Sequence, residues 1–394
     1  MKGIRIRRGV CALSVLAGAV LIGSVGGTAA WLLFWAVLTV PLLSLAYRVA
    51  LRFGFRAVLR VQEESVLRGE RVRCALVLIN SGFLPVPEVR VRLLSGKIEC
   101  DGEEIVCALA PGESREIPFS PLCRHCGPSP VGAEAAAGDL LGLFERRIRV
   151  QETVNVLPRR QRIRNLLAAP PRETERPAAT RPYLGERVPD GQLRPYVIGD
   201  DVRRIHWKAS ALQGRPVVRN LMSEPKREVY LLPDARAALP EGERGWLAAD
   251  SVLEGTLCVA DYYLRRGVPI RVIPDAERAM DIRSGADYPR LYRACTEDFF
   301  SGKVRPDELL EQCVAENGTA SGCIILTWEL DEAFLRRVER CVGLGAAVSV
   351  VYAGDPAAAG VQAAAARRLP VFSVTEKRDV FTVLGGASGE GGAT

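Results

Sequence analysis

The sequence predicts three parts in series: a transmembrane helical hairpin, a small all-β sandwich and a doubly wound α/β domain. Three observations predict that order. Gly9–Tyr47 runs for 39 residues without a charge, residues 61–157 hold short strand-like runs broken by turn signals, and from Glu228 apolar strands alternate with helical stretches. The chain is 394 residues long with a net charge of +7, and the position of that charge decides what it means. Residues 1–60 contain eight bases (Lys2, Arg5, Arg7, Arg8, Arg48, Arg52, Arg56, Arg60) and no acid, leaving 45 bases against 46 acids in the remainder. The excess flanks the apolar segment, which argues against a nucleic-acid partner.

The hairpin, residues 1–60, follows from length. A helix of 39 residues would be about 58 Å long, against a hydrocarbon core of about 30 Å. One straight crossing is excluded, and the glycine-dense stretch Gly23-Ser24-Val25-Gly26-Gly27 marks the break. Helices are expected near residues 10–25 and 29–47, with Pro41 placed to kink the second and Trp31 and Trp35 at an interface. Bases before the first helix and after the second place both ends, and the soluble domains, on the cytoplasmic side of a cell membrane. A cleaved signal peptide ending near Thr28-Ala29-Ala30 is the competing reading. Eleven cysteines, an odd number without a framework spacing, fit a reducing compartment.

In the second part, residues 61–157, Arg71–Ile79 reads as a buried strand and Val89–Leu93 as a half-exposed one. Turn signals fall at Asp101-Gly102, Pro111-Gly112 and Gly127-Pro128, and this spacing favours a β-sandwich. Residues 158–193 are rich in Arg and Pro and read as a mobile or partner-bound linker. Beyond it, strands are expected at Val229–Pro233, Val268–Pro274, Gly322–Thr327, Ala346–Ala353 and Val371–Val374. Helices are expected at Trp246–Arg266, Asp331–Val342 and Pro356–Arg368, the alternation of a mostly parallel sheet. Gly385–Thr394 is a Gly/Ser-rich tail of disordered composition.

Between linker and sheet stand Arg194, Tyr196, Gly199, Asp200, Arg203, Ile205, His206, Trp207 and Lys208, in the order Arg-x-Tyr…Gly-Asp…Arg-x-Ile-His-Trp. Upstream, Gly138-Asp-Leu-Leu-Gly-Leu-Phe144 carries an Asp-x-x-Gly-Leu-Phe motif. With these motifs and its apolar N-terminus, the chain resembles the domain of unknown function 58 family. The resemblance implies a von Willebrand factor A-like domain over 194–384. It also implies a MoxR-type AAA+ ATPase as partner, and a transglutaminase-like membrane protein as a companion. Read from the residues alone, Asp201 is placed to cap the segment after the Gly199-Asp200 turn. Arg203, Arg204 and Lys208 beside the two aspartates form a charged network, with Trp207 as a large apolar anchor. That network is an ion-pair latch holding the linker to the sheet domain, a recognition surface for a protein, or an acid/base site. The residues leave all three open.

Domains of the implied type hold Mg²⁺ through an Asp-x-Ser-x-Ser motif after the first strand, since a hard cation wants several oxygens. This chain has Asp234-Ala-Arg-Ala-Ala238 there. Arg236 and Ala238 replace the two serines, so no metal is expected and Asp234 should pair with Arg236 or cap the next helix. The chain has two histidines, His125 and His206, which limits histidine catalysis. Cys123-Arg-His-Cys126 is one knuckle-like pair without a second, a weak metal signal. No cofactor is implied. The expectation is a non-enzymatic, membrane-anchored scaffold or adaptor for assembly of an envelope-associated complex. The rivals are an enzyme using Asp200, Asp201 and His206, and a purely structural subunit of a membrane complex.

Overall fold

The computed structural model describes residues 2–25, 27–94, 97–99, 104–139, 142–170, 189–197, 205–221, 228–317 and 322–386. The chain forms two compact units, residues 1–159 and 160–394. In the first, helix α1 (Lys2–Val25) packs against α2 (Thr28–Gly54). Helix α2 is long and apolar enough to cross a membrane, with a mean hydropathy of 2.0 over its most apolar stretch, whereas the apolar part of α1 spans Gly9–Ser24. Helix α2 does not stop near Tyr47. The first charge after the apolar run marks where burial in lipid could end, but Tyr47, Leu51 and Gly54 recur at helical spacing and are buried. Tyr47 and Leu51 join Phe55, Leu76, Leu78 and Val89 in one core, so the helix runs directly into the β-rich part.

That part consists of β1 (Phe55–Val61), β2 (Ser65–Leu67), β3 (Cys74–Asn80), β4 (Val86–Leu94), β5 (Ile98–Glu99), β6 (Ile105–Leu109), β7 (Ser114–Phe119), β8 (Leu122–Cys123), β9 (Gly127–Gly138) and β10 (Glu145–Leu157). A three-stranded sheet, β1-β3-β7, and a five-stranded sheet, β2-β10-β9-β4-β6, send apolar side chains into shared cores. Gly127-Pro128 opens β9 instead of making a turn. Strand β4 pairs only with Gly132–Gly138 of β9, so Pro128 and Pro130 lie where that side has no β4 ladder to interrupt. Asp101-Gly102 lies outside the described residues.

The second unit contains β11 (Pro189–Pro195), α3 (Trp207–Gln213), β12 (Val217–Leu221), β13 (Val229–Pro233), α4 (Glu243–Arg265), β14 (Ile270–Val272), β15 (Met280–Ile282), α5 (Tyr288–Glu297) and α6 (Pro306–Asn317). It continues with β16 (Gly322–Thr327), α7 (Glu332–Gly343), β17 (Ala347–Ala353), α8 (Ala359–Ala366), β18 (Val371–Val374) and α9 (Val380–Gly385). The main sheet has the order β15-β14-β13-β16-β17-β18, parallel throughout except for the antiparallel edge strand β15. Its central strands are continuous apolar runs because both faces are covered: every residue of β13 and β17 is buried.

Not all of 158–193 is a mobile linker. Ile163, Leu166 and Ala168 are buried in this unit, and Leu167 N–H donates to Leu384 O at 2.8 Å. The guanidinium of Arg160 stacks on Tyr292 at 3.9 Å, and Arg265 donates to Ile163 O at 3.2 Å. Pro170 reaches Gly322 at the start of β16. The apolar side chains hidden among arginines dock residues 160–170 under the amino ends of the strands. Residues 171–188 lie outside the described residues, as does the tail from 387.

Candidate functional site: a buried Asp–Arg pair and an exposed helix

Chain order and sheet order together fix where a ligand crevice falls. From β13 the chain crosses to β14 on one side, whereas β16 leads to β17 on the other, so the order reverses between β13 and β16. A crevice opens outside the carboxyl ends of such a strand pair. Asp234 follows β13 immediately, and Thr327-Trp328-Glu329 closes β16. Asp234 is fully buried. Arg236 Nε donates to Asp234 Oδ1 at 2.9 Å, Arg236 Nη2 to Asp234 Oδ2 at 2.8 Å, and the same Nη2 to Glu329 Oε2 at 2.9 Å. Thr327 Oγ1 donates to Asp234 Oδ2 at 3.0 Å, and Trp328 lies 5.3 Å from the guanidinium. The hydrogen bonds to Asp234 push the Arg236 pKa above its ordinary value.

The pairing expected of Asp234 and Arg236 is therefore present, with the guanidinium held against the buried carboxylate. Ala238 is exposed two residues further on and offers no side-chain oxygen. Parallel backbone bonds, Gly302 N–H to Ala235 O at 2.9 Å and Ala237 N–H to Gly302 O at 3.1 Å, hold the loop in place. Charge pairs extend outward from here. Arg305 binds Asp331 through two bonds (3.0 and 2.8 Å) and Asp307 at 3.0 Å, while Arg337 reaches Asp307 and Glu308, each at 2.8 Å. Asp331 also caps α7, accepting from Phe334 N–H at 2.8 Å. Sequence reasoning missed Thr327, Glu329, Arg305 and Asp307. The one available signal was an acid just past a buried strand, because the fold closes a separation of 93 residues between Arg236 and Glu329.

The family segment forms a compact β–α–β piece. Strand β11 pairs antiparallel with β12, Arg194 facing Val218, and Tyr196 N–H donates to Pro216 O at 2.9 Å. His206 caps α3, its Nδ1 accepting from Ala209 N–H at 3.3 Å, and its own N–H donates to Val217 O at 2.8 Å. Ser210 Oγ accepts from Val217 N–H at 2.9 Å. Trp207 is not the buried anchor its size suggested: it is 67% exposed, Leu212 is 83% exposed, and Lys208 lies on the same outer side. The inner residues of α3, Ala209 and Ser210, are small and half-buried, which turns the large side chains outward. Gly199, Asp200, Asp201, Arg203 and Arg204 lie outside the described residues.

Cys123 and Cys126 are buried in the β-rich unit. Among the described residues no group of three His, Cys, Asp or Glu side chains is placed to hold a metal ion. In the second unit burial pushes the thiols of Cys258 and Cys323 up to about 12, which disfavours the nucleophilic thiolate.

Fold and site together define a mainly parallel α/β protein joined to a β-rich unit and an apolar N-terminal helix. Residues 192–278 match the family described as protein of unknown function DUF58. No curated protein matches the chain. Among solved structures, it is similar to native alpha-2-macroglobulin from Escherichia coli, a crystal structure spanning domain MG7 to the C-terminus (19% identity, 27% of this chain and 17% of that one, TM-score 0.23). A cryo-EM reconstruction of E. coli alpha-2-macroglobulin gives 21% identity over 27% of this chain and 7% of that one, TM-score 0.23. The CARDB domain of the PF1109 protein from Pyrococcus furiosus gives 16%, 26%, 94% and 0.22 in the same terms. The chain thus spans less than a fifth of the first two. Likenesses of this size say nothing about activity.

Proposed function

We propose that this protein is a membrane-anchored adaptor without catalytic activity of its own. In this reading α1 and α2 form a two-pass hairpin with both soluble units on the cytoplasmic side, and the two β-sheets make a sandwich. The α/β unit is a von Willebrand factor A-like domain whose cation position is filled by Arg236. Its partner is a MoxR-type AAA+ ATPase, the class the family resemblance implies, with a transglutaminase-like membrane protein as a further companion.

The observation that carries the reading is Trp207, held by a capped and cross-bonded α3 yet 67% exposed. Tryptophan is among the residues most enriched in interaction hot spots, and an exposed one on a fixed helix is a natural anchor for a partner. His206 spends Nδ1 on capping α3, which leaves one ring nitrogen for acid/base work and weakens the enzyme reading.

The test is co-purification of the full chain in detergent with a MoxR-type ATPase, with and without ATP. Trp207→Ala and Leu212→Asp should each abolish nucleotide-dependent retention while leaving the melting temperature within about 1 °C, since exposed positions carry little stability. Retention unaffected by both substitutions, or absent in the unsubstituted protein, refutes the proposal.

A further inference from the structure

Helix α2 is gripped by the β-rich unit along one face and bare along the other. On the gripped face, Ser44 Oγ donates to Asp139, Tyr47 Oη to Pro85 O, and Arg146 to Leu51 O. Ser81 donates to Gly54 O through both its N–H (2.8 Å) and its hydroxyl (3.0 Å). The approach at Gly54 is so close that a Cβ there would lie 2.8 Å from Gly82 Cα. These contacts run the length of the helix from Ser44 to Gly54, about 15 Å.

The other face is apolar and basic. Leu42, Leu45, Val49 and Phe53 follow one another at helical spacing and are all exposed, Phe53 at 73%. Arg48 stacks on Phe144 at 5.4 Å, and Arg52 and Arg56 are exposed at the helix end. The loop that runs beside α2 from Ser81 to Pro85 turns Phe83 into solvent at 80% exposure. Burial, and then the charges of Arg52 and Arg56, hold the Arg146 pKa below its ordinary value, so this corner carries concentrated positive charge.

We infer that this edge of the β-rich unit lies on the lipid surface, with Phe83 and Phe53 in the interfacial layer and Arg48, Arg52 and Arg56 against anionic headgroups. The inference rests on α2 being membrane-inserted. The occupant is a bilayer because the bare row is continuous with the apolar helix and ends in arginines and aromatics, the residues suited to an interface. Asp139, the first residue of the Asp-x-x-Gly-Leu-Phe motif, then has a stated purpose: it fastens the spanning helix to the unit that rides on the headgroups.

The test uses the full chain reconstituted in vesicles of phosphatidylcholine, with or without one-third phosphatidylglycerol. The photocrosslinker p-benzoylphenylalanine is placed singly at position 83, at 43 in mid-helix, or at 67 in β2, which pairs with the end of β10 remote from the Asp139–Phe144 loop. Lipid adducts are expected at 43 and 83 and not at 67. Arg52→Gln and Arg56→Gln should each reduce the phosphatidylglycerol-dependent adduct at 83 about fivefold, the attraction one surface arginine has for an anionic leaflet. Adducts at 43 without adducts at 83, or adducts at 83 to protein instead of lipid, overturn this inference and leave the anchor standing. No adduct at 43 overturns the anchor and this inference with it.

Discussion

Truncating Arg236 is the sharpest test of the idea that a guanidinium stands where a cation would sit. In Arg236→Ala, Asp234 loses two charge-assisted bonds of 2.9 and 2.8 Å and keeps only the Thr327 hydroxyl as a strong donor, while remaining fully buried. Glu329 loses a bond as well, but its side chain is 42% exposed and water replaces the partner at little cost. The loss is therefore the penalty of one uncompensated buried carboxylate, about 3 kcal/mol, the lower end of what breaking a buried pair costs. For a unit of this size that lowers Tm by roughly 6–12 °C. Calorimetry of the full chain in detergent reads the shift, and hydrogen exchange of the β13 and β16 peptides assigns it to this unit. Removing both charges in Asp234→Asn/Arg236→Leu should recover at least half of the loss, because the cost lies in the orphaned charge and not in the missing pair. A single-variant shift below about 2 °C, or a double variant less stable than the single, refutes the reasoning.

Two further outcomes are expected at the same corner. Arg236→Ser/Ala238→Ser would place two hydroxyls beside Asp234 and Thr327, and millimolar Mg²⁺ should then raise Tm in the variant and not in the parent; no Mg²⁺ effect in the variant would show that the crevice lacks a cation's geometry. The Asp331 carboxyl is held below the usual carboxylate range, first by its hydrogen bonds from Arg305. A depressed folded-state value stabilises the protein above the unfolded value, near pH 4, and that stability is lost as pH falls through the folded value. Asp331→Asn keeps a helix-capping side chain, so its Tm deficit should be present at pH 7 and close as pH falls through the folded value; a deficit that does not change with pH would mean the charge is not what stabilises.

Much of the α/β unit was legible because a parallel strand covered on both faces must be a short, unbroken apolar run. Val229–Pro233, Gly322–Thr327 and Val371–Val374 appear in the structure with the bounds expected from sequence. The stretch from Asp275 to Asn317 was not read, because β15 is three residues long and α6 begins Pro-Asp-Glu with few apolar residues. The docking of residues 160–170 was hidden for another reason. Arginine content reads as solvent exposure, yet Arg160 lies against Tyr292 and Ile163 is buried, so stems and stacked guanidiniums act there as apolar material. Of the charged corner, the Asp234–Arg236 and Arg305–Asp307 contacts are each only two residues apart, and the first alone was read. The bonds from Arg236 to Glu329 and from Arg305 to Asp331 close only once the strands are laid side by side.

The Gly138–Phe144 motif and the segment from Arg194 to Arg219 are used in opposite ways, and burial is what separates them. Asp139 is buried, its backbone N–H donates to Phe144 O at 3.1 Å, and its Oδ1 accepts from Phe144 N–H at 3.1 Å. Gly142, with φ of 63°, supplies the left-handed turn that closes the loop, a conformation an L side chain resists. Asp139, Gly142 and Phe144 of that motif hold a turn and a helix. In the segment from Arg194 to Arg219 the described backbone is equally well bonded, but α3 points its largest side chain away from all of it. A fold gains nothing from leaving a tryptophan in water, and a capped helix that holds one there has fixed its position for something else to meet. The first motif helps hold this molecule together, and the second is where the proposed partner is to be sought.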